Sequence, residues 1–116
     1  MNKSYPCIRV CDIDTSIEWY RDFLGLTCTY RSSLKQPDFA LVESGSTKLF
    51  LAKDPAGKAY ASNMVIIETS DIEETYRKLE AAGVIVKYGI GEGSFGTVEF
   101  AIKDYEDNML IYRQNA

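Results

Sequence analysis

The hydrophobic positions at the start of the chain follow the period of a strand and then that of a helix. Ile8 and Val10 alternate with more polar neighbours, which predicts a strand with two different faces. Four apolar residues then recur at helical spacing: Ile17, Tyr20, Phe23 and Leu24. Thr15 and Glu18 have the spacing of a capping box, which predicts the start of a helix. Gly25 predicts its end, because a helix often closes on a left-handed residue.

The segments after this helix are short and predict strands. Residues 27–31 predict one strand, and residues 39–43 and 48–52 predict a hairpin closed by the Ser-Gly-Ser turn at 44–46. Residues 53–62 combine helix breakers and small residues without periodicity, so they are predicted to form a linker.

The opening pattern returns after the linker. An apolar strand at 64–69 is followed by Asp71-Ile72-Glu73, which matches Asp12-Ile13-Asp14 at a shift of 59 residues. A second helical stripe and a second glycine come next, and three further segments predict strands: 84–88, 98–102 and 109–112. A loop is expected over 89–96. The chain therefore contains an internal repeat of strand, helix and three strands.

This repeat predicts the fold. We expect a single α+β domain spanning residues 1–116, made of two βαβββ modules at about 5–52 and 63–113. The two modules are expected to form a curved mixed sheet around a cavity, with the helices on the outer face.

Composition and charge narrow the function classes. The chain has 116 residues, 46% of them hydrophobic, which is enough for one domain with a real core. The net charge is −4 and the basic residues form no cluster, so nucleic-acid binding is not predicted. The chain contains no apolar run of about eighteen residues, so a membrane span is not predicted. It also contains no signal-peptide core, so a cytoplasmic location is expected. Cys7 and Cys11 lie about 13 Å apart along an extended strand, which is too far for a disulfide.

Two short motifs are present without the context that their chemistry needs. Residues 91–96 spell the G-x-G-x-x-G of dinucleotide sites, but the pattern after them is that of a strand instead of a helix. Residues 104–108 resemble part of a calcium loop without its glycine and distal glutamate, so a turn is predicted there. The three cysteines have no histidine to act as a base, and no catalytic residue is assigned.

Three segments resemble the signatures of the vicinal oxygen chelate superfamily, which includes glyoxalase I, extradiol dioxygenases and bleomycin resistance proteins. The first is Val-x-Asp-Ile-x-x-Ser-x-x-Trp-Tyr-x-x-x-Leu-Gly-Leu, from Val10 to Leu26. The second is Thr-Ser-Asp-Ile-Glu at 69–73. The third is Asp-Tyr-Glu-Asp-Asn at 104–108, where the family often carries an Asp-Pro-Asp-Gly-Asn turn. The resemblance covers nearly the whole chain and implies the two-module fold. It says little about chemistry, because one fold can host many functions.

The resemblance also implies where a metal would bind. Enzymes of this superfamily hold a divalent metal with two histidines and two acids, and the matching positions here are Tyr5, Phe50, Met64 and Ile111. None of these side chains is a good ligand for a hard cation, and the chain contains no histidine. We therefore predict a protein without a metal or another cofactor.

The same alignment predicts which side chains face the cavity. Because alternate residues of a strand lie on one face, the predicted ligand-binding set is Tyr5, Cys7, Arg9, Phe50, Met64, Ile66, Glu68 and Ile111, with Lys48 and Ala52 beside Phe50. This floor suits a flat apolar or aromatic ligand. Phe, Met and Ile are also ordinary core residues, so packing is the alternative for them.

Arg9 and Glu68 are the charged exceptions on this floor. A buried charge is costly unless it is paired. The two residues are expected to pair either with each other, which would be a structural role, or with a ligand.

The preferred functional hypothesis follows from the resemblance to the bleomycin resistance proteins. It is a metal-free homodimer that sequesters an aromatic or apolar small molecule, such as an antibiotic, and so confers antibiotic resistance. The first alternative is a diverged enzyme of the glyoxalase or dioxygenase type, with Glu68, Glu99 or Tyr5 as acid–base residues. The second is a dimeric regulatory module with a vestigial pocket.

Overall fold

The chain folds into two sheets that carry one helix each. A computed structural model describes residues 2–54, 63–93 and 96–115, and within these ranges it contains eight strands and two helices. The first module contains β1 (Cys7–Val10), α1 (Ile13–Leu24), β2 (Thr27–Arg31), β3 (Phe39–Ser44) and β4 (Thr47–Lys53). The second contains β5 (Met64–Glu68), α2 (Ile72–Ala81), β6 (Val86–Glu92), β7 (Thr97–Lys103) and β8 (Met109–Asn115).

The two sheets have the same topology. Their strand orders are β1-β4-β3-β2 and β5-β8-β7-β6, so the first strand of each module pairs with the last. This first pair is parallel in both sheets, whereas the remaining pairs are antiparallel. The predicted α+β fold with two βαβββ modules is confirmed.

Both helices begin at the aspartates that define the sequence repeat. The Asp12 carboxylate accepts a hydrogen bond from the Thr15 amide at 3.0 Å, and Asp71 accepts one from the Glu74 amide at 3.1 Å. The predicted capping box was wrong, since α1 already begins at Ile13 and Thr15 lies inside its first turn. An extended aspartate just before a helix satisfies the free amides equally well.

The last three strands of the second module run longer than their apolar patterns predicted. The expected loop over 89–96 was wrong in its first half, because β6 continues to Glu92. β6 is an edge strand with register shifts after Val86 and Tyr88, and such irregular pairing accommodates Gly89 and Gly91. Most of the predicted linker, residues 55–62, lies outside the described residues.

The core lies between each sheet and its helix. Strand alternation placed the right side chains there: Ile8, Val10, Leu49, Leu51, Val65, Leu110 and Tyr112 are buried in this core, and Ile67 packs against it. The alternate residues of the same strands point to the other side of the sheets. We call that side the open face.

The turn between β7 and β8 connects the second module to the first. Asp104 is buried, and its carboxylate accepts a hydrogen bond from the Tyr20 hydroxyl of α1 at 2.6 Å. Glu106 accepts hydrogen bonds from the amides of Cys11 and Asp12 at 2.6 and 3.0 Å. This turn therefore holds the start of α1 in the other module. Neither helix of the described residues is long and apolar enough to cross a membrane.

Candidate ligand-binding face

The open face of the first sheet presents an aromatic cluster, formed by Tyr5, Phe39 and Phe50. Phe50 stacks on Phe39 with ring centroids 5.0 Å apart, and it meets Tyr5 edge-on at 6.1 Å. Tyr5 is 42% exposed, and the two phenylalanines are half-buried. Rings that contact each other while staying accessible offer a stacking surface to a flat ligand.

Positive charge lies beside the aromatic cluster. The Lys48 ammonium is 5.4 Å from the centre of the Tyr5 ring, and it also forms an ion pair with Glu43 at 3.8 Å. Arg9 lies on the same face, one strand away from Ala52, and is exposed.

Cys7 lies between Arg9 and the aromatic cluster, directly opposite Phe50 in the strand register. Burial raises the pKa of the Cys7 thiol, and the nearby Arg9 charge offsets part of that rise. A thiol with a raised pKa is protonated near neutral pH, which leaves little of the nucleophilic thiolate.

The open face of the second sheet has two largely exposed apolar side chains. Met64 is 58% exposed and Ile66 is 50% exposed, whereas Ile111 is only 6% exposed. Ile111 lies between Ile66 and Ala101 in the register, so its neighbours cover most of it.

The predicted site residues therefore form two groups, one on each sheet. Tyr5, Cys7, Arg9 and Phe50 belong to the first group, and Met64, Ile66, Glu68 and Ile111 belong to the second. The sheets approach each other at a cleft of about 250 Å³ that contains Ile66 and Glu68 from one side and Lys48 from the other. Pro6, residues 46–47, Leu49, Val65 and Ile67 complete its lining.

Arg9 and Glu68 do not behave as the sequence suggested. Both residues are exposed, so the premise that they are buried charges was wrong. Within 2–54, 63–93 and 96–115 no ion pair joins them. The side chain beside Glu68 in the register is Arg113, which lies 3.7 Å from Glu99.

A polar cluster on the second sheet was not fully found from the sequence. Glu99 is 12% exposed, and it accepts a hydrogen bond from the Tyr88 hydroxyl at 2.7 Å in addition to its ion pair with Arg113. Desolvation and the bond to Glu99 raise the pKa of Tyr88 to about 12. The Tyr88 hydroxyl therefore stays protonated and donates a hydrogen bond throughout the physiological pH range. Gly93 packs so closely against Glu99 that a Cβ at Gly93 would lie 2.1 Å from the carboxylate.

Phe39 was also missed, although a signal was available. The hairpin and its turn were predicted from sequence, and the pairing of Ser44 with Thr47 sets Phe39 opposite Ala52. Counting back from the turn would therefore have placed Phe39 on the same face as Phe50.

The residues present do not fit the metal site of the superfamily. Tyr5 and Phe50 lie on one sheet, Met64 and Ile111 on the other, and none of the four offers a histidine nitrogen or a carboxylate. Among the described residues, no group of three or more His, Cys, Asp or Glu side chains could hold a metal ion.

The family model for the Glyoxalase/Bleomycin resistance protein/Dioxygenase superfamily matches residues 4–112 of the chain. The chain belongs to this superfamily. The resemblance seen in its signatures is thereby confirmed. No curated protein matches the chain by sequence.

Solved structures of the superfamily share this fold at low sequence identity. The bleomycin resistance determinant encoded on transposon Tn5 has a TM-score of 0.83 and 17% identity, with 99% of this chain and 98% of that chain covered. The bleomycin-binding protein of Streptomyces verticillus, complexed with copper(II)-bleomycin, has a TM-score of 0.79 and 19% identity, covering 100% and 97%. A glyoxalase-related enzyme from Clostridium phytofermentans has a TM-score of 0.80 and 16% identity, covering 100% and 96%. These likenesses concern the fold.

Proposed function

We propose that this chain binds an aromatic or apolar small molecule on its open face, without a metal and without chemical conversion. The observation that supports this most directly is the aromatic cluster of Tyr5, Phe39 and Phe50, whose rings stack on the side of the sheet turned away from the helix. A strand pattern that only served the core would not need rings on this side. Bleomycin-binding proteins of the same fold support the proposal by analogy.

Sequestration of an antibiotic is the form of this function that we favour. Binding energy would come from stacking and from burial of apolar area, and a few polar groups would set the orientation of the ligand. The ligand-binding set is Tyr5, Cys7, Arg9, Phe50, Met64, Ile66, Glu68 and Ile111, to which we add Phe39.

We further propose that the working form is a homodimer in the cytoplasm. The open face leaves Met64 and Ile66 largely exposed, and a second copy would cover such apolar area. Sedimentation of the protein at micromolar concentration should give the mass of a dimer. A monomer across that range would refute the assembly and leave the fold untouched.

A diverged enzyme is the second candidate, and the Glu99–Tyr88 pair is the observation that favours it. A carboxylate bonded to a hydroxyl could exchange a proton with a substrate. The ion pair of Glu99 with Arg113 speaks against this role, because the carboxylate already has a partner. A regulatory module that ignores small molecules is the third candidate.

A ligand screen with a matched variant tests the proposal. The unfolding temperature is measured in the presence of flat aromatic compounds and of saturated compounds of the same size. Compounds that raise it are confirmed by calorimetry. Phe50→Ala should weaken the binding of an aromatic hit by about 1–3 kcal/mol, the scale of burying such a side chain. Mass spectrometry of each hit after incubation separates binding from turnover.

Three results would decide against the proposal. Conversion of a hit favours the enzyme. A dimer that responds to no compound favours the regulatory module. One tightly bound transition metal per chain in elemental analysis of untagged protein would overturn the metal-free assignment.

A further inference from the structure

The strand register aligns a cation, a small residue and an aromatic ring in one row across the first sheet. Arg9 of β1 pairs with Ala52 of β4, and Ala52 pairs with Phe39 of β3. Neighbouring strands are about 4.8 Å apart, so the Cα atoms of Arg9 and Phe39 are separated by about 10 Å. The side chain between them ends at Cβ and remains partly exposed. The row therefore sets the small Ala52 side chain between those of Arg9 and Phe39, and we call the space above Ala52 the slot.

The Arg9 guanidinium is available to a ligand. Arg9 is exposed, and within the described parts of the chain its side chain forms no ion pair and no hydrogen bond. Its backbone is fixed, because β1 pairs with β4 and the Arg9 carbonyl accepts a hydrogen bond from Asn108 at 3.4 Å. A planar guanidinium on a fixed strand can accept a carboxylate in a two-point contact.

The other cation on the open face of the first sheet is already paired, since Lys48 forms an ion pair with Glu43. Within the described parts of the chain, Arg9 is thus the cation of this sheet's open face without an ion pair, and it also adjoins the slot. On the far side of the slot, the Phe39 ring is stacked on Phe50.

We propose that the slot between Arg9, Ala52 and Phe39 selects aromatic ligands that carry a carboxylate or a similar flat anionic group. The anion lies against the Arg9 guanidinium, the ring of the ligand extends over Ala52, and its far edge meets Phe39 and Phe50. This inference rests on the proposed function, because it names the chemical class of ligand for the same face.

Two probes of the same shape test the charge requirement. Calorimetry with 2-naphthoate and its neutral counterpart 2-naphthamide should show that the acid binds about tenfold more tightly or better, the effect expected of a two-point charged contact. Arg9→Met should remove most of this preference by weakening the acid about tenfold and leaving the amide within about twofold. Arg9→Lys should restore part of it, because a lysine keeps the charge but not the fork.

Two further variants separate the slot from general electrostatics. Ala52→Leu should weaken 2-naphthoate about tenfold, since the added side chain fills the slot while Arg9 and Phe39 remain. Arg21→Met removes one exposed charge from α1, where Arg21 pairs with Asp22, and should leave the binding of both probes unchanged. Melting of each variant checks that it folds.

The outcomes distinguish this inference from the proposed function. Equal binding of the acid and the amide, with both weakened by Phe50→Ala and neither by Arg9→Met, overturns the acid preference and keeps an aromatic-binding face. Equal loss from Arg9→Met and Arg21→Met also overturns it, because the effect is then one of net charge. No binding of either probe to a folded wild-type protein overturns both proposals.

Discussion

The two modules share their framework and differ on the open face and at the joint between them. Each begins with a strand, an aspartate that caps a helix, and an isoleucine buried at the first helical position, Ile13 or Ile72. The open faces diverge into stacked rings with a free arginine on one sheet and a Glu99–Arg113 pair on the other. The positions that repeat are therefore architecture, and the positions that have diverged are the ones to test for function.

The joint shows the same contrast. Tyr20 of α1 donates a hydrogen bond to Asp104 of the second module, whereas the residue at the matching position of α2 is the apolar Leu79. The two amides just before α1 donate to Glu106 from the other module, whereas the first amide of α2 donates to Gln114 from its own last strand. The second module thus supports the first, and no equivalent support in the other direction is seen among the described residues.

The largest expected effect is a loss of unfolding free energy from the covered side of the sheets, which should exceed the loss from the open face. Phe100 is fully buried between Tyr76 and Tyr112, so Phe100→Ala should cost about 3–5 kcal/mol of unfolding free energy. Phe50→Ala should cost less than about half as much, because Phe50 is half-buried on the open face. Urea unfolding of both variants measures this. Equal losses would mean that Phe50 is a core residue and that the open face is misassigned.

Alkaline pH provides the second test, through a buried phenol of the second module. Burial raises the pKa of Tyr112 to about 12, so its contribution to stability is complete below about pH 10 and is lost as the pH rises toward 12. Wild-type stability should therefore fall by about 1.4 kcal/mol per pH unit more than that of Tyr112→Phe over this range. Tyr105→Phe is the control, since Tyr105 is exposed. Parallel pH profiles of wild type and Tyr112→Phe would contradict the expected shift.

The joint between the modules should give a smaller loss. Glu106→Ala removes the acceptor of two amides and its charge at the start of α1, and should cost about 1–2 kcal/mol. Part of that loss should disappear at high salt. Gln114→Ala at the start of α2 removes a neutral acceptor, so its smaller cost should not depend on salt. If both losses respond equally to salt, the charge of Glu106 does not distinguish its contribution from that of Gln114.

The smallest effect concerns the framework that both modules share. Asp12→Ala and Asp71→Ala each remove a helix-capping carboxylate and should each cost about 1 kcal/mol. Glu18→Ala should be close to neutral, because Asp12 caps α1 without it. Thermal unfolding can rank the three variants. A larger loss for Glu18→Ala than for Asp12→Ala would support the capping-box prediction instead.

The shared framework of the modules could be predicted from the sequence because the patterns that specify it are local and repeated. The match of Asp12 with Asp71 and the alternation around Ile8 and Leu49 depend on neighbours along the chain, and the structure confirms both. Contacts between distant segments have no such pattern in the sequence. The bond of Tyr20 to Asp104 joins residues 84 positions apart, and no periodicity predicts it.

The candidate site was only partly accessible from the sequence for the same reason. Alternation placed Phe50 and Arg9 on one face, but their exposure depends on what else packs on that face, which one strand does not reveal. The prediction that Arg9 is buried was wrong for this reason. The row from Arg9 through Ala52 to Phe39 became visible only with the register of three strands.

The central claim is that the open face of the first sheet binds an aromatic ligand, and backbone amide shifts measured by NMR test it most directly. Titration with 2-naphthoate should shift the amides of Cys7, Phe39 and Phe50 most, because ring currents act on nearby nuclei. The amides around Leu79 in α2, on the helix side of the other module, should stay in place. Saturable shifts centred on the open face are the result that this account predicts. Shifts centred on either helix, or none at millimolar probe, would contradict it.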